Sequence, residues 1–327
     1  MMAIALGGND AASPVANVVG ARVITLNKGI MLFAVFSTVG ALSQGYMNMK
    51  TVGTGIVPSI DLLGAIIIVL VAFMWIMMCN NWGLEISVTH TIIGSILGYG
   101  IAAFGFGQIQ WDLIYKVFFS WFASPILAAL VSYFIYYALN YLSEKYRLVN
   151  KYMKIVLILA LCYSAYAFGA NDIANATGVY VTVTQMVMDS PPEGSVMFYL
   201  SLLGSVGVVI GGVWLGPKVI KTVAFNIINL NIVSGTAAEL TNALVVHLFV
   251  TLPYILIGYG LPISTSLANI GALVGVGYAS YGGSGINKKT VKQLVYCWIA
   301  SVFMTGLITY SIYSLLLPIV GSIIAPI

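Results

Sequence analysis

Two Asn-Asp pairs are the residues of this sequence best suited to chemistry in an apolar setting. Asn9-Asp10 lies in GGND at 7–10, and Asn171-Asp172 lies in GAND at 169–172. Strongly polar groups at membrane depth are costly, and they usually mark a pathway or a binding site. Carboxylate and carbonyl oxygens are ligands for hard cations. We therefore predict Asp10 and Asp172 as Na⁺ ligands or proton carriers; the alternative is a polar pair that only joins two helices.

Two clusters of hydroxyl side chains follow glycines, Gly83 in the first case and Gly260 in the second. The clusters consist of Ser87 and Thr89, and of Ser264, Thr265 and Ser266. Ser and Thr are good helix N-caps, and a helix start aims free N–H groups and a positive dipole end at an anion. Two facing helix starts would bind a small oxyanion. The alternative is that the hydroxyls only bond the preceding turn.

Other polar residues near these motifs are weaker candidates. His90 directly follows Thr89, and it would contact the anion or relay protons, although a single membrane His more often bonds backbone. Glu85, at the predicted cytoplasmic entrance of the hairpin, would carry a proton or be solvated at the interface. Glu239 and His247, eight residues apart, lie one helix before the second hairpin.

The charge pattern favours coupling of an anion to a cation. Apart from Arg22 and Lys116, which lie near helix ends, no Lys or Arg falls inside a predicted crossing. An anion held near Asp10 and Asp172 would be repelled by several kcal/mol or more at low dielectric, on the order of the Coulomb estimate for close charges. We therefore predict that Na⁺ or H⁺ binds at the Asn-Asp pairs and offsets the charge of the anion, and no organic cofactor is expected.

The elements that carry these residues are membrane helices. The chain has 327 residues, of which 60% are hydrophobic and only 7% charged, whereas soluble domains carry about 25% charged residues. Apolar runs of about 20 residues are long enough to cross a bilayer, and they do not alternate as barrel strands do. Seven clear runs lie at 30–48, 62–79, 113–139, 152–170, 195–215, 240–259 and 293–317, and weaker ones at 83–104 and 260–281. The predicted fold is an all-α polytopic membrane protein in contact with lipid.

An internal repeat relates the motifs. Residues 82–102 and 259–279 align without gaps at an offset of 177, with Gly83 on Gly260 and Ser87 on Ser264. The Asn-Asp motifs align at an offset of 162, from 9 to 171. Two motifs in the same order indicate duplication. We predict a first repeat at 1–142, a cytoplasmic connector at 143–151 and a second repeat at 152–327.

Charge bias predicts the orientation of the repeats. If each copy crosses five times, the 13 basic residues divide 11 against 2, and the richer side is the cytoplasm. That side receives Arg22, Lys28, Lys145, Arg147, Lys151, Lys154, Lys218, Lys221, Lys288, Lys289 and Lys292; the other receives Lys50 and Lys116. Because five is odd, the copies are inverted, with broken or hairpin helices as in many secondary transporters. Both termini then face outside. Net charge of +4 in short loops is not a nucleic-acid signal.

The motifs resemble those of the inorganic phosphate transporter family, which has a duplicated Gly-Ala-Asn-Asp-x-Ala-Asn motif and a duplicated Gly-x-Pro-x-Ser-Thr-Thr-His motif. The four copies here read GGNDAAS (7–13), GANDIAN (169–175), GLEISVTH (83–90) and GLPISTSL (260–267). The resemblance spans nearly the whole chain. It implies a secondary transporter of phosphate coupled to Na⁺ or H⁺, with a sulfate-transporting branch, and a homodimer with a transport core on a scaffold.

Carried over to this chain, the resemblance assigns one group of residues to the cation region and another to the oxyanion. The cation region would contain Asn9, Asp10, Asn171, Asp172 and Asn175; the oxyanion would be held by Ser87, Thr89, Ser264, Thr265 and Ser266, with His90 as an added contact. The departures from the family pattern are Ser13 for Asn, Glu85 for Pro, Val88 for Thr, Ser266 for Thr and Leu267 for His. They weaken the assignment of phosphate and keep that of an oxyanion.

The beginning of the chain differs between the copies. Sixteen mostly apolar residues, 152–167, lead into the second motif, whereas only six precede Gly7. The sequence therefore predicts that the first half-helix is missing, because coding begins upstream or because the chain is shortened.

The predicted function is a cation-coupled symporter of inorganic phosphate in the cell membrane, with sulfate as the alternative substrate. A different class, the intramembrane aspartyl proteases, also uses two membrane Asp residues, but the Asn before each Asp fits that class poorly. A channel is a further alternative. It is disfavoured because channel pores are usually symmetric across subunits, whereas this duplication lies within one chain. We predict no enzyme activity.

Overall fold

The computed structural model describes residues 1–188 and 194–324, and the predicted second repeat, 152–327, extends beyond these residues at 189–193 and 325–327. Within the described part of the chain, every regular element is helical. The first half contains α1 Met2–Asp10, α2 Ala12–Gly20, α3 Leu26–Gln44, α4 Tyr46–Thr54, α5 Leu62–Trp82, α6 Val88–Phe104 and α7 Trp111–Lys145, with a 3₁₀ turn at Phe106–Gln108. The second half contains α8 Arg147–Met188, α9 Gly194–Trp214, α10 Gly216–Asn226, α11 Ile232–Ile257, α12 Thr265–Tyr281 and α13 Lys288–Ile324.

Seven of the described helices are long and apolar enough to cross a membrane: α3, α5, α7, α8, α9, α11 and α13. Each contains most of one of the seven clear runs predicted from the sequence. The weaker runs are the shorter helices α6 and α12, each preceded by an extended segment. The prediction of an all-α polytopic membrane protein is therefore confirmed. At the predicted connector, α7 and α8 extend inward from both sides and leave only Tyr146 outside a helix.

Local sequence explains where the hairpins break. Gly83 ends α5 with a φ of 71°, a left-handed conformation that favours glycine. Ser87 then caps α6 by accepting the His90 amide. In the second half, Gly258 ends α11 with a φ of 76°, and Ser264 caps α12 by accepting the Leu267 amide. The predicted helix starts at the two hydroxyl clusters are therefore confirmed.

The Asn-Asp motifs differ in how they are held. In the first half a turn at Ala11 separates α1 from α2, and Asp10 is the last residue of α1. In the second half α8 continues without interruption through Asn171 and Asn175. The small residues beside the second motif therefore serve close approach and not a helix break: a Cβ atom added at Gly169 would lie 1.9 Å from the carbonyl oxygen of Ser37.

Contacts between the halves are reciprocal. A Cβ atom added at Gly98 would meet the backbone of Gly306, and one added at Gly275 would meet the backbone of Ala129. Gly98 and Gly275 are 177 residues apart in the sequence, and so are Ala129 and Gly306. Helix α6 therefore packs on α13 as α12 packs on α7. Such paired contacts are those of a two-fold arrangement, here a pseudo-two-fold within one chain.

Candidate functional site

The two hairpins meet at the pseudo-two-fold and exchange hydrogen bonds. The Thr89 hydroxyl donates to the Ile263 carbonyl at 3.1 Å, and the Ser266 hydroxyl donates to the Ile86 carbonyl at 3.0 Å. These donors and acceptors are related by the same offset of 177 residues, 89 to 266 and 86 to 263. The starts of α6 and α12 therefore lie side by side, as the sequence predicted.

Asp172 is bound by amides of its own helix. Its Oδ2 accepts from Asn171 Nδ2 at 3.0 Å, and its Oδ1 accepts from Asn175 Nδ2 at 2.8 Å. The same Asn175 Nδ2 donates to the Thr89 hydroxyl at 3.0 Å, which ties α8 to the start of α6. The Thr265 hydroxyl lies near the Asp172 carboxylate, and in the described structure it has no hydrogen-bond partner. The second motif and both hairpins therefore form one polar cluster.

Asp10 completes this cluster from the first half. Its side chain is 1% exposed, and its Oδ1 has no hydrogen-bond partner among residues 1–188 and 194–324. Its neighbour Asn9 bonds the first hairpin, which in turn bonds the second hairpin held by Asn171, so both Asn-Asp motifs adjoin the meeting point of the hairpins. A buried carboxylate needs a compensating charge or hydrogen bonds. Asp10 is therefore a buried carboxylate whose Oδ1 is left without compensation by the described protein groups.

The asparagines of the motifs hold the hairpins in place. Asn9 donates to the Leu84 carbonyl at 3.0 Å and accepts the Ile86 amide at 2.9 Å. Asn171 donates to the Ile263 carbonyl at 2.8 Å. Each hairpin is thus fastened to the Asn-Asp motif of its own half. In this arrangement both the amide group and the oxygen of Asn9 are occupied by protein groups.

Two further asparagines, which the sequence analysis did not single out, orient those of the motifs. Asn80, near the end of α5, accepts from Asn9 Nδ2 at 2.6 Å, and Asn48, in α4, donates to Asn171 Oδ1 at 2.8 Å. Both are buried. The signal in the sequence was a polar residue at the end of an apolar run, which usually indicates an interfacial position. Only packing places these side chains against the motifs.

We predict that Asn80→Ala lowers the rate of substrate uptake about 10-fold, since leaving a buried polar partner unsatisfied costs about 1–3 kcal/mol. The variant removes one of the two acceptors of Asn9 Nδ2, the other being the Leu84 carbonyl, and leaves the motif itself unchanged. Uptake into proteoliposomes measures the effect, and Asn48→Ala is expected to behave alike through Asn171. Asn140→Ala, at the partly exposed end of α7, is the control. Wild-type uptake by both Asn80→Ala and Asn48→Ala would contradict the positioning role.

His90 faces away from the polar cluster. Its Nδ1 lies 3.2 Å from the Trp298 carbonyl oxygen, and its ring lies 3.8 Å from that of Trp121, centroid to centroid. It also lines an apolar cavity of about 980 Å³ between α6, α7, α12 and α13. The structure does not place its ring in hydrogen-bonding contact with the Asn-Asp residues. The structure therefore does not place His90 at the predicted anion site. Its ring contacts the backbone instead, which was the alternative prediction.

The remaining acidic candidates are deeper than expected. Glu85 is 0% exposed, so the alternative that it is solvated at the interface is wrong. Glu239 is also fully buried, and its Oε2 accepts from Asn17 Nδ2 at 2.8 Å. Asn17 Nδ2 also donates to Asn269 Oδ1 at 2.8 Å, which makes a second polar cluster between α2, α11 and α12. Asn17 and Asn269 were not among the predicted site residues, although both are polar residues in apolar helices.

His247 belongs to a separate network. Its Nδ1 lies 2.8 Å from the Tyr163 hydroxyl, and its Nε2 lies 3.0 Å from Gln44 Oε1. These contacts join α3, α8 and α11, and His247 is only partly buried. Glu239 and His247 therefore do not act on one site, although eight residues separate them on the same helix.

Comparisons with known proteins agree with this geometry. The sequence pattern of the Phosphate transporter family matches residues 6–309. A relative named "Putative phosphate permease PF1020", from Pyrococcus furiosus, is 28% identical, and the alignment covers 98% of this chain and 95% of the relative. "Inorganic phosphate transporter 2-1, chloroplastic", from Arabidopsis thaliana, is 24% identical over 92% of this chain and 68% of its own. A solved structure, "The sodium-dependent phosphate transporter", superposes with a TM-score of 0.85 at 26% identity, covering 97% of this chain and 96% of the other.

Proposed function

Because the chain belongs to the phosphate transporter family, we propose that it is a cation-coupled symporter of inorganic phosphate. The observation that carries this proposal is that the buried Asp10 and Asp172 belong to motifs that bond the segments leading into the two helix starts. Carboxylates bind cations, and helix starts with hydroxyls bind oxyanions. A site with both kinds of group binds an anion only when cations neutralise the carboxylates, and this requirement couples the two fluxes.

Na⁺ is the coupling ion that we propose. The similar solved structure is described as a sodium-dependent phosphate transporter. In this chain the ligands would be Asp10 and Asp172, with the free Oδ1 of Asn175 and the Thr265 hydroxyl directed at the same cluster; both atoms are without a partner in the described residues. These are oxygen atoms, which suit Na⁺. The phosphate would lie against Thr265 and the first amides of α6 and α12, which have no acceptor within their helices.

We also propose the membrane arrangement that the charge bias predicts. The halves are inverted, the basic loops face the cytoplasm, and both termini face outside. The reciprocal packing of α6 on α13 and of α12 on α7 supports the two-fold relation of the halves. The homodimer that the family resemblance implies and the lipid contacts of the outer helices are part of the same proposal.

The alternatives receive less support. Sulfate is a tetrahedral oxyanion of similar size, and the departures at Val88 and Leu267 keep it as a second candidate substrate. An intramembrane aspartyl protease needs two carboxyls that share an attacking water. Here Asp172 accepts hydrogen bonds from two amide donors, Asn171 and Asn175. Asp10 lies in a motif that resembles the motif of the phosphate transporter family.

Uptake of labelled phosphate into proteoliposomes tests the proposal. We expect uptake to require an inward Na⁺ gradient, and unlabelled arsenate to compete better than sulfate, because arsenate shares the protonation states of phosphate. Parallel assays replace the Na⁺ gradient with a pH gradient or labelled phosphate with labelled sulfate. Uptake driven only by the pH gradient would overturn Na⁺ coupling, and uptake of sulfate alone would overturn the substrate. Absence of cation-dependent uptake of either anion would overturn the function.

A further inference from the structure

Two residues at which the first motif copies differ from the second are in contact with each other. Ser13 stands where the second copy has Asn175, at the offset of 162, and Glu85 stands where it has Pro262, at the offset of 177. The Ser13 hydroxyl donates to Glu85 Oε1 at 2.5 Å, and both side chains are 0% exposed. Two positions 72 residues apart, each differing from its counterpart in the other half, therefore form one contact.

The backbone frame around Glu85 does not require a carboxylate. Trp298 Nε1 donates to the Glu85 carbonyl at 3.2 Å, and Trp121 Nε1 donates to the Pro262 carbonyl at 3.3 Å. The two tryptophans are themselves 177 residues apart, so the bonds are equivalent in the two halves. In the second half, Pro262 makes the equivalent backbone contact without a carboxylate. The Glu85 side chain is therefore an added charge and not a structural need of the hairpin.

This added charge has no basic partner in the contacts of the hairpin. Glu85 Oε2 has no hydrogen-bond partner in the described part of the chain, and neither does Asp10 Oδ1. Lys218 reaches the same hairpin, but its ammonium donates to the carbonyl of the exposed residue Asn81. Asn9 and Ser13, on either side of Asp10 in the chain, both bond the hairpin segment 84–86, so Glu85 lies beside the first motif. Two adjacent buried carboxylates cannot both stay charged unless a cation lies between them; otherwise one of them is protonated.

We propose that Glu85 and Asp10 together bind one additional Na⁺, with Ser13 orienting the Glu85 carboxylate. The first half then binds a cation with two carboxylates, whereas in the second half Asp172 is bound by the neutral amide of Asn175. The transport cycle therefore carries one more positive charge per phosphate than the two aspartates alone would require. This inference rests on the proposed function, because it assigns a third carboxylate to the same transport site.

Glu85→Gln tests the inference. Glutamine keeps the shape of the side chain and an oxygen that accepts from Ser13, and it removes the charge. Fluxes of radioactive Na⁺ and labelled phosphate are measured in the same proteoliposomes, so the result is a ratio and does not depend on the rate of uptake. We expect the variant to carry about one Na⁺ fewer per phosphate than the wild type, since one buried charge no longer needs a partner. Glu144→Gln, which removes a carboxylate at the exposed end of α7, is expected to keep the wild-type ratio.

An unchanged ratio of Na⁺ to phosphate in Glu85→Gln would overturn the inference. It would mean that Glu85 stays protonated throughout the cycle, since glutamine is neutral like a protonated glutamate. If the variant does not transport, the number of Na⁺ bound per purified protein in the presence of phosphate decides. The double variant Ser13→Asn/Glu85→Pro, which copies the residue types of the second half, is expected to bind one Na⁺ fewer. The wild-type number in both variants would overturn the inference. Failure of the proposed function itself is recognised separately, as the absence of Na⁺-driven uptake by the wild type.

Discussion

Asp172→Asn is expected to lower Na⁺-dependent phosphate uptake by at least about 100-fold, since removing one member of a buried charge pair costs about 3–5 kcal/mol. The change is isosteric, so packing around α8 stays the same. It removes the charge that would bind the coupling ion. It also places an amide NH₂ group opposite one of two donors, Asn171 Nδ2 or Asn175 Nδ2, which then loses its acceptor.

The measurement is the initial rate of uptake across a series of Na⁺ concentrations. Asp112→Asn, which removes an exposed carboxylate in the first turn of α7, is the matched control and is expected to leave the Na⁺ dependence unchanged. Thermal unfolding of the purified variant separates loss of the site from loss of the fold. A folded Asp172→Asn protein with the Na⁺ dependence of the wild type would remove Asp172 from the site.

Gly169→Ala is expected to destabilise the protein by about 3 kcal/mol or more, at the upper end of the cost of overpacking. The added Cβ atom would lie 1.9 Å from the Ser37 carbonyl oxygen and 2.8 Å from the Ala41 amide nitrogen. Both neighbours are backbone atoms of α3, so no side chain can rotate away, and α3 and α8 must separate. Because Asn171 lies two residues further along α8, the same displacement opens the cluster around Asp172.

The midpoint of unfolding in a denaturing detergent measures this effect. Gly107→Ala is the control, since a Cβ atom added there meets nothing within 4 Å. The pseudo-two-fold supplies a second comparison. A Cβ atom added at Gly7 would lie 2.0 Å from the Val208 carbonyl oxygen, so Gly7→Ala is expected to destabilise the protein to a similar degree. A Gly169→Ala protein as stable as the Gly107→Ala control would show that the two helices are not in backbone contact.

The two halves share equivalent backbone contacts, and the site differs between them in individual side chains. Equivalent bonds recur in the two halves at the hairpins, where Thr89 and Ser266 donate across the interface. Ser13 and Glu85 differ in chemistry from Asn175 and Pro262, which stand at the equivalent positions of the repeat in the sequence. A duplicated chain can therefore change the chemistry of its site in one half while both halves keep equivalent backbone contacts.

The sequence by itself determined the features that depend on local spacing. Apolar runs of about 20 residues gave the crossings, because a helix must bury its backbone polar groups in lipid. The glycines and hydroxyls at Gly83 and Ser87 predicted where α6 begins, because chain reversal and N-capping involve residues only a few positions apart. The two matched motifs predicted a duplicated site with one aspartate in each copy, Asp10 and Asp172.

Only the tertiary structure decided which of these residues meet. The bond between Asn9 and Asn80 joins residues 71 apart, and that between Asn17 and Asn269 joins residues 252 apart. No periodicity within a helix encodes such pairs, since the direction of a side chain toward another helix depends on how both are packed. The same reason explains His90, which follows Thr89 in sequence but turns by about 100° around α6 toward Trp121. It also explains Glu85, which is buried against Ser13 because α2 packs on the first hairpin.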